Sequence, residues 1–132
     1  MSWQAYVDTS LVGTGFVDKA AIFDDQGSSV WAASPGFSVS PEEIKVIVAS
    51  FKPTAGDALK DVQSSGFHVG GEKYIALQSD ESRLYGKKGK EGVVIVKTKK
   101  ALLVAHYPET VQPGQATNVV EKLGDYLSSV GY

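Results

Sequence analysis

The chain has no cysteine. That excludes disulfides, iron–sulfur clusters and thiolate zinc sites, and it fits a reducing compartment. The opening, Met1 to Ser10, has no basic leader and no long apolar run, so no secretory signal is legible. No stretch approaches the roughly 20 apolar residues that cross a bilayer. The expected location is the cytoplasm. Histidine is scarce, only His68 and His106. Each sits in an apolar or strand-like setting, so each reads as a satisfied structural residue, and no metal-ligand spacing surrounds them.

Catalytic motifs are also missing. No Gly-x-Ser-x-Gly elbow exists. Gly13-Thr14-Gly15 lacks the later glycine of a dinucleotide fingerprint and follows no strand. Gly86-Lys87-Lys88-Gly89 resembles half a phosphate loop, but no Gly-Lys-Ser/Thr opens a helix behind it. Glu42 and Glu43 are adjacent in a helical first turn, so they point apart and favour the helix dipole over acid–base work. The expectation is a protein with no catalytic residues, metal or cofactor, and not an enzyme.

Charge is balanced overall, at −2, which argues against general nucleic-acid affinity. The balance hides an asymmetry. Arg83, Lys87, Lys88, Lys90, Lys97, Lys99 and Lys100 fall together against a single acid, Glu91. Acids gather earlier, from Asp8 to Asp61. A basic patch on an acidic protein points to one specific anionic partner. The length of 132 residues suits one domain, residues 1–132, and a monomer is the default state.

What the chain does have is aromatic side chains at both ends. Trp3 and Tyr6 open it, Tyr126 and Tyr132 close it, and Trp31 follows an early strand. If the termini lie side by side, these rings make one exposed ridged surface. An aromatic-lined groove is what gripping a polyproline II helix requires.

The pattern between the ends is α+β. Ser2 is a plausible N-cap for a helix carrying Trp3, Tyr6, Val7 and Leu11, stopped by Gly13 and Gly15. Val17 to Phe23 and Ser29 to Ala33 read as a hairpin around Asp25-Gln26-Gly27, broken at Ser34-Pro35-Gly36. Ser40-Pro41-Glu42-Glu43 starts a helix, with a capping Ser, Pro at N1 and acids in the first turn. Ile44, Ile47, Val48 and Phe51 mark its buried face, and Lys52-Pro53 ends it. Asp57 to Val62 reads as a short helical turn. Strands then follow at His68-Val69, Glu72–Ser79, Arg83–Tyr85, Val93–Val96 and Ala101–Tyr107. The turns between the last three fall at Gly86–Lys90 and Lys99-Lys100, which makes an antiparallel meander. Pro113-Gly114 breaks the chain before a last helix. Ala116, Val119, Val120, Leu123, Leu127 and Val130 form its core stripe. Tyr126 lies at the border of that stripe, roughly 100° from Leu127.

Several blocks together resemble profilins, and the likeness spans the chain. They are Met1-Ser2-Trp3-Gln4-Ala5-Tyr6-Val7-Asp8, Gly13-Thr14-Gly15 with Val17-Asp18-Lys19-Ala20, Val30-Trp31-Ala32, and Gly66 to Tyr74. The most specific are His106-Tyr107-Pro108, Gln112-Pro113-Gly114-Gln115 and Val119 to Leu127, which are similar to fungal and plant members.

The resemblance implies a central antiparallel sheet of six or seven strands. The terminal helices would cover one face and short middle helices the other. It also implies a cytoskeletal adaptor that binds monomeric actin, proline-rich proteins such as formins, and phosphoinositides, and that speeds nucleotide exchange on actin. The implied polyproline site is Trp3, Tyr6, Trp31, Tyr126 and Tyr132. The implied actin face joins Gly114, Thr117, Asn118, Glu121 and Lys122 on the helix to Lys73, Lys87 and Lys88 on the sheet. Arg83, Lys87, Lys88 and Lys90 would meet anionic lipid heads, peripherally and in a salt-sensitive way. Two other readings compete. One is a small-molecule sensor domain with a buried polar pocket. The other is a phosphate-directed hydrolase built on a histidine and the lysine turn.

Overall fold

The computed structural model describes residues 3–51, 66–79 and 83–132. Both Ser2 and the helical turn expected at 57–62 lie outside these residues. Seven antiparallel strands form one sheet in the order β2-β1-β7-β6-β5-β4-β3. They are β1 Lys19–Asp24, β2 Val30–Ala33, β3 Phe67–Val69, β4 Glu72–Ser79, β5 Arg83–Lys88, β6 Glu91–Lys97 and β7 Ala101–Tyr107. The helices among the described residues are α1 (residues 3–14), α2 (Pro41–Ser50) and α3 (Pro113–Ser129).

Every residue of β7 is buried, because this central strand has helices over both of its faces. On one face Val7 and Leu11 of α1, with Ala116, Val120, Leu123 and Leu127 of α3, pack on Ile22, Val94, Leu103 and Ala105. On the other, Ile44, Ile47 and Val48 from α2, with its C-cap Phe51, pack on Phe23, Leu84, Ile95, Leu102 and Val104. The first is called the terminal face and the second the α2 face. Burying a side chain such as Leu127 is worth about 1.5–3 kcal/mol, so each helix is held mainly by its stripe.

The helix α1 is not regular. It starts as an α-turn, widens to a π-helix over Tyr6–Leu11 and tightens to a 3₁₀ turn at Val12–Thr14. The wide turn is closed by the Val12 N–H donating to the Val7 carbonyl. Gly15 ends it at φ 82°, donating to the Val12 carbonyl at 3.1 Å. The start of α2 is as expected. Ser40 accepts from the Glu43 amide and Glu43 accepts from the Ser40 amide, a full capping box. Glu43 also accepts from the amides of Gly70 and Gly71 at 3.2 and 2.8 Å, so it clips α2 to the β3–β4 turn.

Three expectations need correction. Gly86, Lys87 and Lys88 are not a turn. They continue β5, paired with Val93, Gly92 and Glu91, and the turn shrinks to Gly89-Lys90. Gly86 is a strand residue because its missing side chain leaves room for Phe67 and Tyr74. Pro113 and Gly114 do not precede α3 but form its first turn, where proline's fixed φ and absent N–H cost nothing. Val130 is not in the core stripe. It is the C-cap of α3, 51% exposed, where the helix has already ended.

Candidate functional site

The two ends of the chain meet. Trp3 lies 4.6 Å from Trp31, 5.5 Å from Tyr6 and 5.1 Å from Tyr132, centroid to centroid. Tyr6 in turn lies 6.3 Å from Tyr126. The Tyr132 ring stands edge-on to Trp3 at 87°. Three elements and the tail that follows α3 therefore build one aromatic shelf.

Each contributes for a local reason. Trp3 and Tyr6 are half-buried on the first turns of α1 and pack against the terminal-face core. Trp31 is presented by β2. Tyr126 lies beside the fully buried Leu127 on α3, one helical step off the core stripe, and so stays 51% exposed. Tyr132 is aimed back by a Schellman motif. Its N–H donates to the Leu127 carbonyl at 2.8 Å and the Gly131 N–H to the Ser128 carbonyl at 3.3 Å. Gly131 sits at φ 98°, a conformation a side chain would strain. Burial among the rings, then the neighbouring Tyr126 hydroxyl, holds the Tyr6 phenol above its usual pKa. Rings that stay partly open and keep their polar edges can stack on pyrrolidines and donate to free carbonyls.

The basic hairpin comes out differently. Side chains alternate along β5. Arg83 and Tyr85 reach the terminal face, where the Tyr85 hydroxyl donates to the Glu121 carboxylate of α3 and Arg83 Nε lies 3.2 Å from it. Lys87 follows on that same face, opposite Ile75 of β4. Lys88 points the other way, with Leu84 and Gly86, and pairs with Glu72. Its hydrogen bond holds the Glu72 carboxyl below and the Lys88 ammonium above their usual values. The four cations Arg83, Lys87, Lys88 and Lys90 are thus not one patch. Arg83 is engaged with α3, Lys88 lies across the sheet, and Lys90 is exposed in the turn.

The grouping of Lys88 with Lys73 and Lys87 fails for the same reason. Lys73 alternates with Tyr74, whose ring is in the α2-face core, so Lys73 lies on the terminal face beside Ile75. Gly114, Asn118 and Lys122 are exposed along α3, with Thr117 and Glu121 half-buried. The Thr117 hydroxyl turns inward to the Pro113 carbonyl at 2.9 Å. Two residues missed in the sequence share the open part of the terminal face. Ile75 is 65% exposed, and His68, paired with Lys73, is exposed as well. The period of two around Tyr74 and around Phe67-Val69 carried that signal.

The histidines differ from each other. His68 is not a satisfied core residue, because strand alternation sends Phe67 and Val69 inward and His68 out. His106 is buried, with Nδ1 2.6 Å from Asp18 Oδ1 and Nε2 3.0 Å from Glu91 Oε1. Both of its ring nitrogens are committed, so it offers nothing to a substrate. No cluster of three metal-ligating side chains occurs among the described residues. No helix among them is long and apolar enough to cross a membrane.

Comparison with known proteins agrees with this geometry. The family model described as Profilin matches residues 1–132. A profilin of Saccharomyces cerevisiae is 50% identical over 132 residues, and profilin-A of Physarum polycephalum 52%, each covering all of both chains. The solved structure of Schizosaccharomyces pombe profilin superposes with a TM-score of 0.91 at 49% identity, covering 99% of this chain and 100% of that one. The chain belongs to the profilin family of actin-regulating cytoskeletal adaptors.

Proposed function

We propose that the aromatic shelf grips proline-rich segments of filament-assembly factors such as formins, while the open terminal face holds monomeric actin. The observation that carries this is the ring cluster. Residues from both ends of the chain and from β2 lie in mutual ring contact, with Tyr126 and Tyr132 still open to solvent. A polyproline II helix exposes flat pyrrolidines and unpaired carbonyls, and the shelf offers stacking faces and edge donors for both. Because the ligand is already extended, little ordering entropy opposes binding.

Actin lies, on this reading, across Gly114, Thr117, Asn118 and Lys122 of α3 and Lys73 and Lys87 of the sheet. Glu121 fixes α3 to β5 beneath that surface. Lys87 and Lys90 are the cations open to phosphoinositide heads, a peripheral contact that overlaps the actin face and so competes with it. Two separate surfaces on one rigid sheet raise the effective concentration of actin at the assembly factor. The setting is the cytoplasm and its cytoskeleton.

Capture on immobilised polyproline tests the reading. The wild-type chain is retained. Trp3→Ala, folded by thermal denaturation, washes through, with affinity down at least about 30-fold, as removal of a central aromatic anchor does. Retention of that variant contradicts the site.

A further inference from the structure

We infer that Thr98, in the turn between β6 and β7, is a positioning residue for ligand capture, because it clasps Tyr132 and so sets the edge of the aromatic shelf. The inference rests on the polyproline reading above.

The Schellman motif sends the chain past α3 back towards Trp3, and a main-chain oxygen of Tyr132 then meets the turn. Two donors converge on that oxygen. One is the Thr98 hydroxyl at 2.7 Å, the other the Lys100 backbone N–H. Thr98 is 8% exposed, and its orientation is imposed by the turn itself. Its oxygen accepts from the Ala101 N–H at 3.0 Å. A hydroxyl has one proton to give. At 2.7 Å the Tyr132 main-chain oxygen is the better acceptor than the Ala101 carbonyl at 3.3 Å. The turn therefore aims a donor at the tail, and the tail's ring is held edge-on to Trp3.

Without the clasp, Tyr132 leaves the binding-competent position part of the time. Apparent affinity falls by the fraction of time it remains there. The hydrogen bonds of Thr98 go to its own turn and to the tail. It acts through Tyr132 alone, which gives it a signature that general destabilisation lacks.

The test is a double-mutant cycle on the full chain, with a proline decamer as ligand and tryptophan fluorescence as the readout. Thr98→Val keeps the shape and removes the hydroxyl. It should weaken binding about three- to tenfold, the worth of one hydrogen bond. Thr98→Ser, which retains the donor, should bind as wild type. In a Tyr132→Ala background Thr98→Val should cause no further loss. Wild-type affinity in Thr98→Val, or the same fractional loss with and without Tyr132, overturns the inference. If Thr98→Val does not fold, amide exchange decides. The Lys100 N–H should be protected in the wild type and exchange freely when Tyr132 is deleted, and equal rates in the two overturn the inference. Failure of the polyproline reading looks different, since Trp3→Ala would then bind as well as wild type.

Discussion

The aromatic shelf and the lysine-rich hairpin are both conspicuous as sequence clusters, and folding treats them in opposite ways. Trp3, Trp31, Tyr126 and Tyr132 are scattered along the chain and converge on one surface. Lys87 and Lys88 are adjacent and end on opposite faces of the sheet. Neighbours in a strand are separated by the pleat. Neighbours in space are made by where elements end. Proximity in sequence is therefore a poor guide to a shared site inside a strand, whereas residues at the two ends of a chain can share one if the terminal helices lie side by side on the sheet.

The largest test of that contrast is made in the hairpin. A Cβ on Gly86 would lie 2.4 Å from Phe67 Cζ and 2.9 Å from Tyr74 Cβ, inside the α2-face core. Gly86→Ala should cost about 3 kcal/mol of stability in urea denaturation, as overpacking a buried site does. Polyproline affinity of the folded protein should stay within about twofold, because the shelf is built from other elements. Joint loss of both would show that the two regions are not independent.

Next comes the ring beneath the hairpin. Burial, then the carboxylates of Glu91, Glu72 and Asp18, push the Tyr74 phenol up to about 12. A raised acid pKa means that the unfolded state loses its proton first. The contribution is thus intact below the ordinary tyrosine value and falls as pH rises from about 10 towards 12. Roughly 2 kcal/mol should disappear over that window. The slope should be smaller by that amount in Tyr74→Phe, measured as the difference between the two denaturation profiles, since Tyr6 and Tyr107 are raised too.

The smallest effect separates the two lysines. Lys87→Ala should weaken both actin-monomer binding and sedimentation with phosphoinositide vesicles by about threefold to fivefold. Lys88→Ala should change each by less than about twofold, because that side chain faces the other way and pairs with Glu72. Equal effects would restore a single basic patch.

Much of this fold was legible. The capping box at Ser40 and Glu43, the all-apolar run Ala101–Val104 and the α3 stripe each follow a local rule of spacing or capping. The shelf residues were legible only as a group whose geometry depended on the termini meeting. The misses have common causes. Gly86 and Pro113 carry turn signals, but a buried close approach and a helix first turn use the same residues. The alternation that parts Lys87 from Lys88 was invisible once the segment was read as a loop. Glu121 ties α3 to β5 and Glu43 ties α2 to the β3–β4 turn, through side-chain bonds that no local pattern encodes.

The central claim is that ligand recognition resides where the chain's ends meet. The chain has two tryptophans, Trp3 and Trp31, so two indole N–H signals report on the shelf. Titrating an oligoproline peptide into the labelled protein and following those signals by NMR is the most direct measurement. Both should shift together with the rings of Tyr6, Tyr126 and Tyr132, while the amides of Lys73 and Lys87 stay in place. Shifts centred on β4 and β5 with both indoles unmoved would contradict the account.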